Sequence, residues 1–103
     1  MDFEEFDRVL ETQLDRVKTV LGHKAAEYAT EDRLHNFKVA AILRGISPRE
    51  AVAGMMVKHT ISIYDMTSSH SEFVDDIWDE KITDHINYLI LLRAVIQEEK
   101  GTT

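Results

Sequence analysis

Lys58, Ser62 and Asp65 stand at i, i+4 and i+7, and Glu80, Asp84 and Asn87 repeat that spacing. At about 100° per residue each triplet falls on one narrow stripe of an α-helix. Two carboxylates a turn apart, with an amide oxygen beyond them, are hard oxygen ligands of the kind Mg²⁺ takes. The other coordination positions are left to water or substrate phosphate. If the two stripes face one another, Asp65, Glu80 and Asp84 can hold Mg²⁺ while Lys58 neutralises phosphate. Glu80 and Asp84 are then the candidate catalytic pair. Ala51 and Gly54 continue the first stripe and leave room for a ligand or another backbone. The same spacing also suits a solvated helix face, or a buried Lys58–Asp84 ion pair with no ligand at all.

Residues 24–38 form a second polar concentration, with Glu27, Tyr28, Asp32, Arg33, His35, Asn36 and Lys38 around a helix-to-helix turn. Arg33 and Lys38 suit phosphate, and a following helix N-terminus adds partial positive charge. Capping and surface ion pairing explain the same residues equally well. The five histidines, at 23, 35, 59, 70 and 85, form no i, i+4 pair and no His-Glu-x-x-His arrangement, so a zincin-like site is not expected. His59 and His85 adjoin the two stripes and can donate to phosphate or act as general acids, or be satisfied core histidines. Tyr88 is close enough to Asp84 to serve as a ring contact. No Gly-rich phosphate loop, nucleophile elbow or aromatic-basic strip is present.

The elements that must position these residues read as helices. Four Gly and one Pro in 103 residues leave little material for the tight turns of an all-β domain. Phe3, Phe6, Leu10, Leu14 (or Gln13), Val17 and Leu21 recur at helical spacing and predict an amphipathic helix over 2–28. A second helix over 32–44 starts from Thr30 or Asp32 as N-cap and carries Leu34, Phe37, Ala41 and Ile42 inward to a stop at Gly45. Ser47-Pro48-Arg49-Glu50 is a capping-box sequence and opens a third over 48–67. The fourth covers 72–99 after the polar break at 68–71. A single all-α domain, four-helix bundle-like, is expected over 1–103. Residues 86–96 are apolar around most of the helix, which predicts a homodimer or larger homo-oligomer burying the fourth helix, or else a central helix wrapped by the other three.

Twelve Lys and Arg against nineteen Asp and Glu give a net charge of −7 and a pI near 5.1. That argues against binding duplex nucleic acid, which needs a basic face, though not against a nucleotide in a local basic pocket. The absence of cysteine excludes a disulfide framework and a thiolate metal site. Acid at the start of the chain does not suit a signal peptide, and 86–96 is too short to cross a membrane. A cytoplasmic protein is expected.

Three runs resemble a family of small all-α phage and prophage proteins: Asp32-Arg33-Leu34-His35-Asn36-Phe37-Lys38, Met55-Met56-Val57-Lys58-His59-Thr60-Ile61-Ser62-Ile63-Tyr64-Asp65-Met66, and Glu80-Lys81-Ile82-Thr83-Asp84-His85-Ile86-Asn87-Tyr88-Leu89. More distantly the chain is similar to the all-α nucleotide pyrophosphohydrolases of the MazG and dimeric dUTPase superfamily. The nearer resemblance covers residues 24–94. The distant one rests on the carboxylates of the fourth helix and the bundle. It implies acidic pairs on two neighbouring helices holding Mg²⁺ on a triphosphate, a role that falls to Glu80 and Asp84 with Asn87 nearby. The chain departs from that pattern twice: the Glu-x-x-Glu pair is missing from the third helix, and the second pair is Glu80-x-x-x-Asp84 in place of Glu-x-x-Asp.

Three functions follow. A Mg²⁺-dependent nucleotide hydrolase would use Glu80, Asp84 and Asp65 on the metal, with Lys58 and Arg33 on developing charge. A nucleotide binder without chemistry, such as a phage sponge for a host defence signal, would rely on Arg33, Asn36, Lys58 and His59, with Ser62, Asn87 and Tyr88 lining the ligand. A helical inhibitor of a host protein partner would instead present its acidic surface or the apolar face of the fourth helix.

Overall fold

In a computed structural model, which describes residues 1–27 and 32–101, the chain is all-helical: α1 (Phe3–Glu27), α2 (His35–Arg44), α3 (Pro48–Ser68) and α4 (Asp75–Glu99). Thr30, one of the two candidate caps of α2, lies outside the described residues. Asp32 serves the turn before that helix: its carboxylate accepts the Leu34 N–H at 2.9 Å and the Lys38 ammonium at 2.6 Å. α2 therefore begins three residues later than the sequence suggests.

It stops where expected. Gly45 takes φ 66°, and the Ile46 N–H returns to the Ala41 carbonyl at 3.0 Å. The capping box at the start of α3 is complete, with the Glu50 N–H on Ser47 Oγ and the Ser47 N–H on Glu50 Oε1, both at 3.2 Å. α4 begins at Asp75, because Val74 is extended and the Phe73 ring packs edge-on against Trp78 at 6.0 Å. These two residues hold the positions of a hydrophobic staple across the helix start.

Arg49 pairs with Glu99, and Thr60 with His85, so α3 and α4 run antiparallel. On its other side α4 meets α1 through Gln13 to Thr83 at 2.9 Å and Arg16 to Asp79 at 3.2 Å. α2 folds back on α3 and inserts Leu34 and Phe37 beside Val52 and Val95, with Met55, Tyr88, Leu91 and Leu92 packed around them. α4 thus lies between α1 and α3, which cover part of its wide apolar circumference and leave Ile77, Ile82, Leu89 and Ile90 exposed.

The apolar stripe of α1 is not core, contrary to its spacing. Val17 is buried, but Phe3, Phe6, Leu10 and Leu14 are 90%, 55%, 46% and 48% exposed. α1 bonds to α4 through Gln13 and Arg16, and the apolar side chains of the turns before them stay largely exposed. Among the described residues, no helix is long and apolar enough to cross a membrane.

Candidate functional site

Two cavities meet at Asp84. The smaller and more enclosed, about 160 Å³, lies where α2, α3 and α4 converge with one residue of α1, Leu21. Its polar wall is Arg33, Asn36, Asp84, Asn87 and Tyr88; its apolar wall includes Phe37, Met55 and Leu91. The larger, about 490 Å³, is a groove between α1 and α4 lined by Thr12, Asp15, Arg16, Thr19, Asp79, Glu80, Thr83 and Asp84.

Each side chain arrives in the smaller cavity for a local reason. Arg33 sits in the turn that Asp32 holds. Asn36 follows on the first turn of α2, and Phe37, one residue further, points to the core. Asn87 and Tyr88 are successive residues of α4, so their side chains leave the helix about 100° apart. Asn87 points inward at 3% exposure, and the Tyr88 ring turns toward α3 and α2. That ring lies between His59, centroid 4.8 Å away and tilted 32°, and Phe37, edge-on at 6.4 Å.

Burial holds the His59 imidazole below its ordinary pKa, while the Asp84 carboxylate pulls the other way and Lys58, Lys81 and His85 add to the lowering. His59 is accordingly a neutral ring at pH 7. His85 is engaged elsewhere, sharing a 2.9 Å hydrogen bond with the Thr60 hydroxyl between α3 and α4.

Among the described residues, Asn87 is a buried amide left unserved. Neither Oδ1 nor Nδ2 of this buried amide has a hydrogen-bond partner, although both atoms are shielded from solvent. Thr83, one turn earlier and equally buried, is satisfied by Gln13.

Of the residues singled out from sequence, the fold gathers Arg33, Asn36, Asp84, Asn87 and Tyr88 at one cavity, with His59 behind the tyrosine. Lys58, Ser62 and Asp65 line neither cavity, and Lys58 and Asp65 are exposed. The stripe of α3 that meets α4 is shifted by one residue, to His59 and its neighbours. The gap over Gly54 is filled by the Arg44 guanidinium, 2.9 Å from where a Cβ would stand. Lys38 is committed to Asp32 and Glu98.

Glu80 is exposed and faces the groove toward α1. Among the described residues no three His, Asp or Glu side chains converge as a metal-binding group, and Asp65 lines neither of the cavities that Asp84 lines. Asp15 and Arg16 carry no sequence signal for the groove. Only the docking of α1 on α4 brings them to Asp79, Glu80 and Asp84.

No family model matches the chain, and no curated protein or solved structure is significantly similar to it. The fold and site define a class no narrower than an all-helical protein with a small, polar-walled cavity at α4.

Proposed function

We propose that the chain binds a nucleotide or nucleotide-derived small molecule without turning it over, with the base at Asn87 and the phosphates toward Arg33. The observation that carries this reading is the unpaired amide of Asn87. A buried donor or acceptor left without a partner costs about 1–3 kcal/mol, and an amide pairs bidentately with the donor–acceptor edge of a nucleobase. A cavity of about 160 Å³ holds roughly five waters' volume, well under the ~300–1,000 Å³ of a site that encloses a whole drug-sized ligand. A base fits inside; sugar and phosphates stay at the mouth.

Tyr88, braced by His59 and Phe37, supplies a rigid aromatic wall. On the far side of Asp84 the groove carries Asp15, Asp79 and Glu80, which repel phosphate, so the charged end belongs at the guanidinium of Arg33. The resemblance to nucleotide pyrophosphohydrolases supports the ligand class. The missing acidic pair on α3 and the lack of a convergent metal-binding group among the described residues favour binding over hydrolysis.

A thermal-shift screen of mononucleotides and cyclic dinucleotides, with Mg²⁺ and with EDTA, tests this. Ligand at ~100 times Kd adds about 2.7 kcal/mol of stability. The expected result is stabilisation that survives EDTA, with intact ligand recovered by chromatography. A hit that depends on Mg²⁺ and is recovered as monophosphate would establish the hydrolase instead. Silence across the panel would remove the nucleotide reading and leave a protein partner.

A further inference from the structure

We infer that the first three turns of α1 are the contact surface for a second copy of this chain, the two helices crossing antiparallel about Leu10. Nothing in this inference rests on the ligand reading. The arm carries Phe3, Phe6, Leu10 and Leu14 exposed on one side, ahead of the bonds from Gln13 and Arg16 that tie α1 to α4. At 1.5 Å per residue, roughly 15 Å of helix precedes those bonds. A helix that short, with its apolar side exposed, is marginal in water.

The whole chain bears the mark of a missing partner. Its accessible surface is 7625 Å². A compact monomer of 11.9 kDa would expose about 5,900 Å². The excess, about 1,700 Å² per chain, exceeds the roughly 800 Å² that each partner contributes to a standard stable interface. The radius of gyration, 15.8 Å, likewise exceeds the about 13 Å expected for a compact chain of this length.

Spacing and charge select the second copy as occupant. Positions 3, 6, 10, 13/14 and 17 alternate steps of three and four, the seam of a two-helix contact. Asp2, Glu4, Glu5 and Asp7 crowd the first two turns, while Arg16 and Lys18 lie further along. A parallel pair would stack acid on acid. Antiparallel about Leu10, Phe6 meets the partner's Leu14 and Leu10 meets the partner's Leu10. The same register sets Glu4 beside the partner's Arg16 and Asp2 beside the partner's Lys18, two opposite-charge pairs against one like-charge pair, Glu5 beside the partner's Asp15. Arg16 is 43% exposed while paired with Asp79, so it can serve both. Such a contact is isologous and closes at two chains.

The full chain, which has no cysteine, allows a clean test. Light scattering of the wild type should give twice 11.9 kDa. Phe6→Asp and Leu10→Asp should each weaken the dimer by about tenfold or more and leave the unfolding transition cooperative. Leu10→Cys, placed at the two-fold axis, should form a disulfide-linked dimer under oxidation, whereas Ile61→Cys on α3 should not. A monomeric wild type would overturn the inference. So would a dimer that resists both aspartates and dissociates in Ile61→Asp, or equal crosslinking of the two cysteines.

Discussion

Asn87 and Thr83 lie one turn apart on α4 and are equally buried, yet only Thr83 has a partner. The two therefore differ in sign when replaced by apolar groups of similar size. Thr83→Val leaves Gln13 without its acceptor and should lower stability by about 1 kcal/mol. Asn87→Leu removes an unpaired amide and should raise it by about 1–3 kcal/mol while abolishing nucleotide stabilisation. Urea unfolding of the free protein reads both, and a destabilised Asn87→Leu would mean that the amide is bonded in the folded chain.

His59 makes a third prediction at this scale. Its folded pKa is depressed by burial, so the folded state favours the neutral ring. The linked stability is present above the unfolded value, about 6.5, and is lost as pH falls below it. Groups facing the ring include Asp84, Lys58, Lys81, His85 and Tyr88. Asp32 and Glu50, whose pKa values are also held down, lose their contribution only below about 4. Between pH 7.5 and 5.5 the melting temperature should therefore fall in the wild type and fall less in His59→Gln. Equal falls would exclude His59 as the titrating group.

At the scale of the helices, local chemistry sets the boundaries, and its contributions are separable. Ser47→Ala removes the hydroxyl that accepts the Glu50 N–H, leaving the backbone half of the capping box in place, and should cost about 1 kcal/mol in chemical denaturation. Gly54→Ala should act the other way. The added methyl meets only the far end of the Arg44 side chain, which can swing aside. Helix propensity then gains up to about 1 kcal/mol. A loss would mean that Arg44 is held where it lies. Boundaries marked by capping residues were legible: Gly45 ends α2 and Ser47-Pro48 opens α3. The starts of α2 and α4 were placed early, since the turn at Asp32 and the Phe73–Trp78 staple depend on side chains meeting across the boundary.

For the whole molecule, the pairing of α1 arms links stability to concentration. Mass action requires the melting temperature of the wild type to rise with protein concentration, and that of Leu10→Asp to stay flat. Differential scanning calorimetry over a concentration series reads both.

Composition and periodicity were sufficient for the helical class and for the four helices of the described residues, and residue type picked out Arg33, Asn36, Asn87 and Tyr88, which line one cavity, together with Lys58 and Ser62, which do not. Those features depend on spacing within a helix or on residue type, both of which a sequence records directly. Which stripe of a helix faces which neighbour is a different matter, because a rotation of one residue exchanges Lys58 for His59 at little local cost. Only the packing of α3 on α4 decided that, and with it the separation of Asp65 from Glu80 and Asp84. The same holds for α1. Its apolar spacing announces a buried face, but the point at which α1 meets α4 leaves Phe3, Phe6, Leu10 and Leu14 in water, because burial is a property of the partner surface and not of the stripe itself.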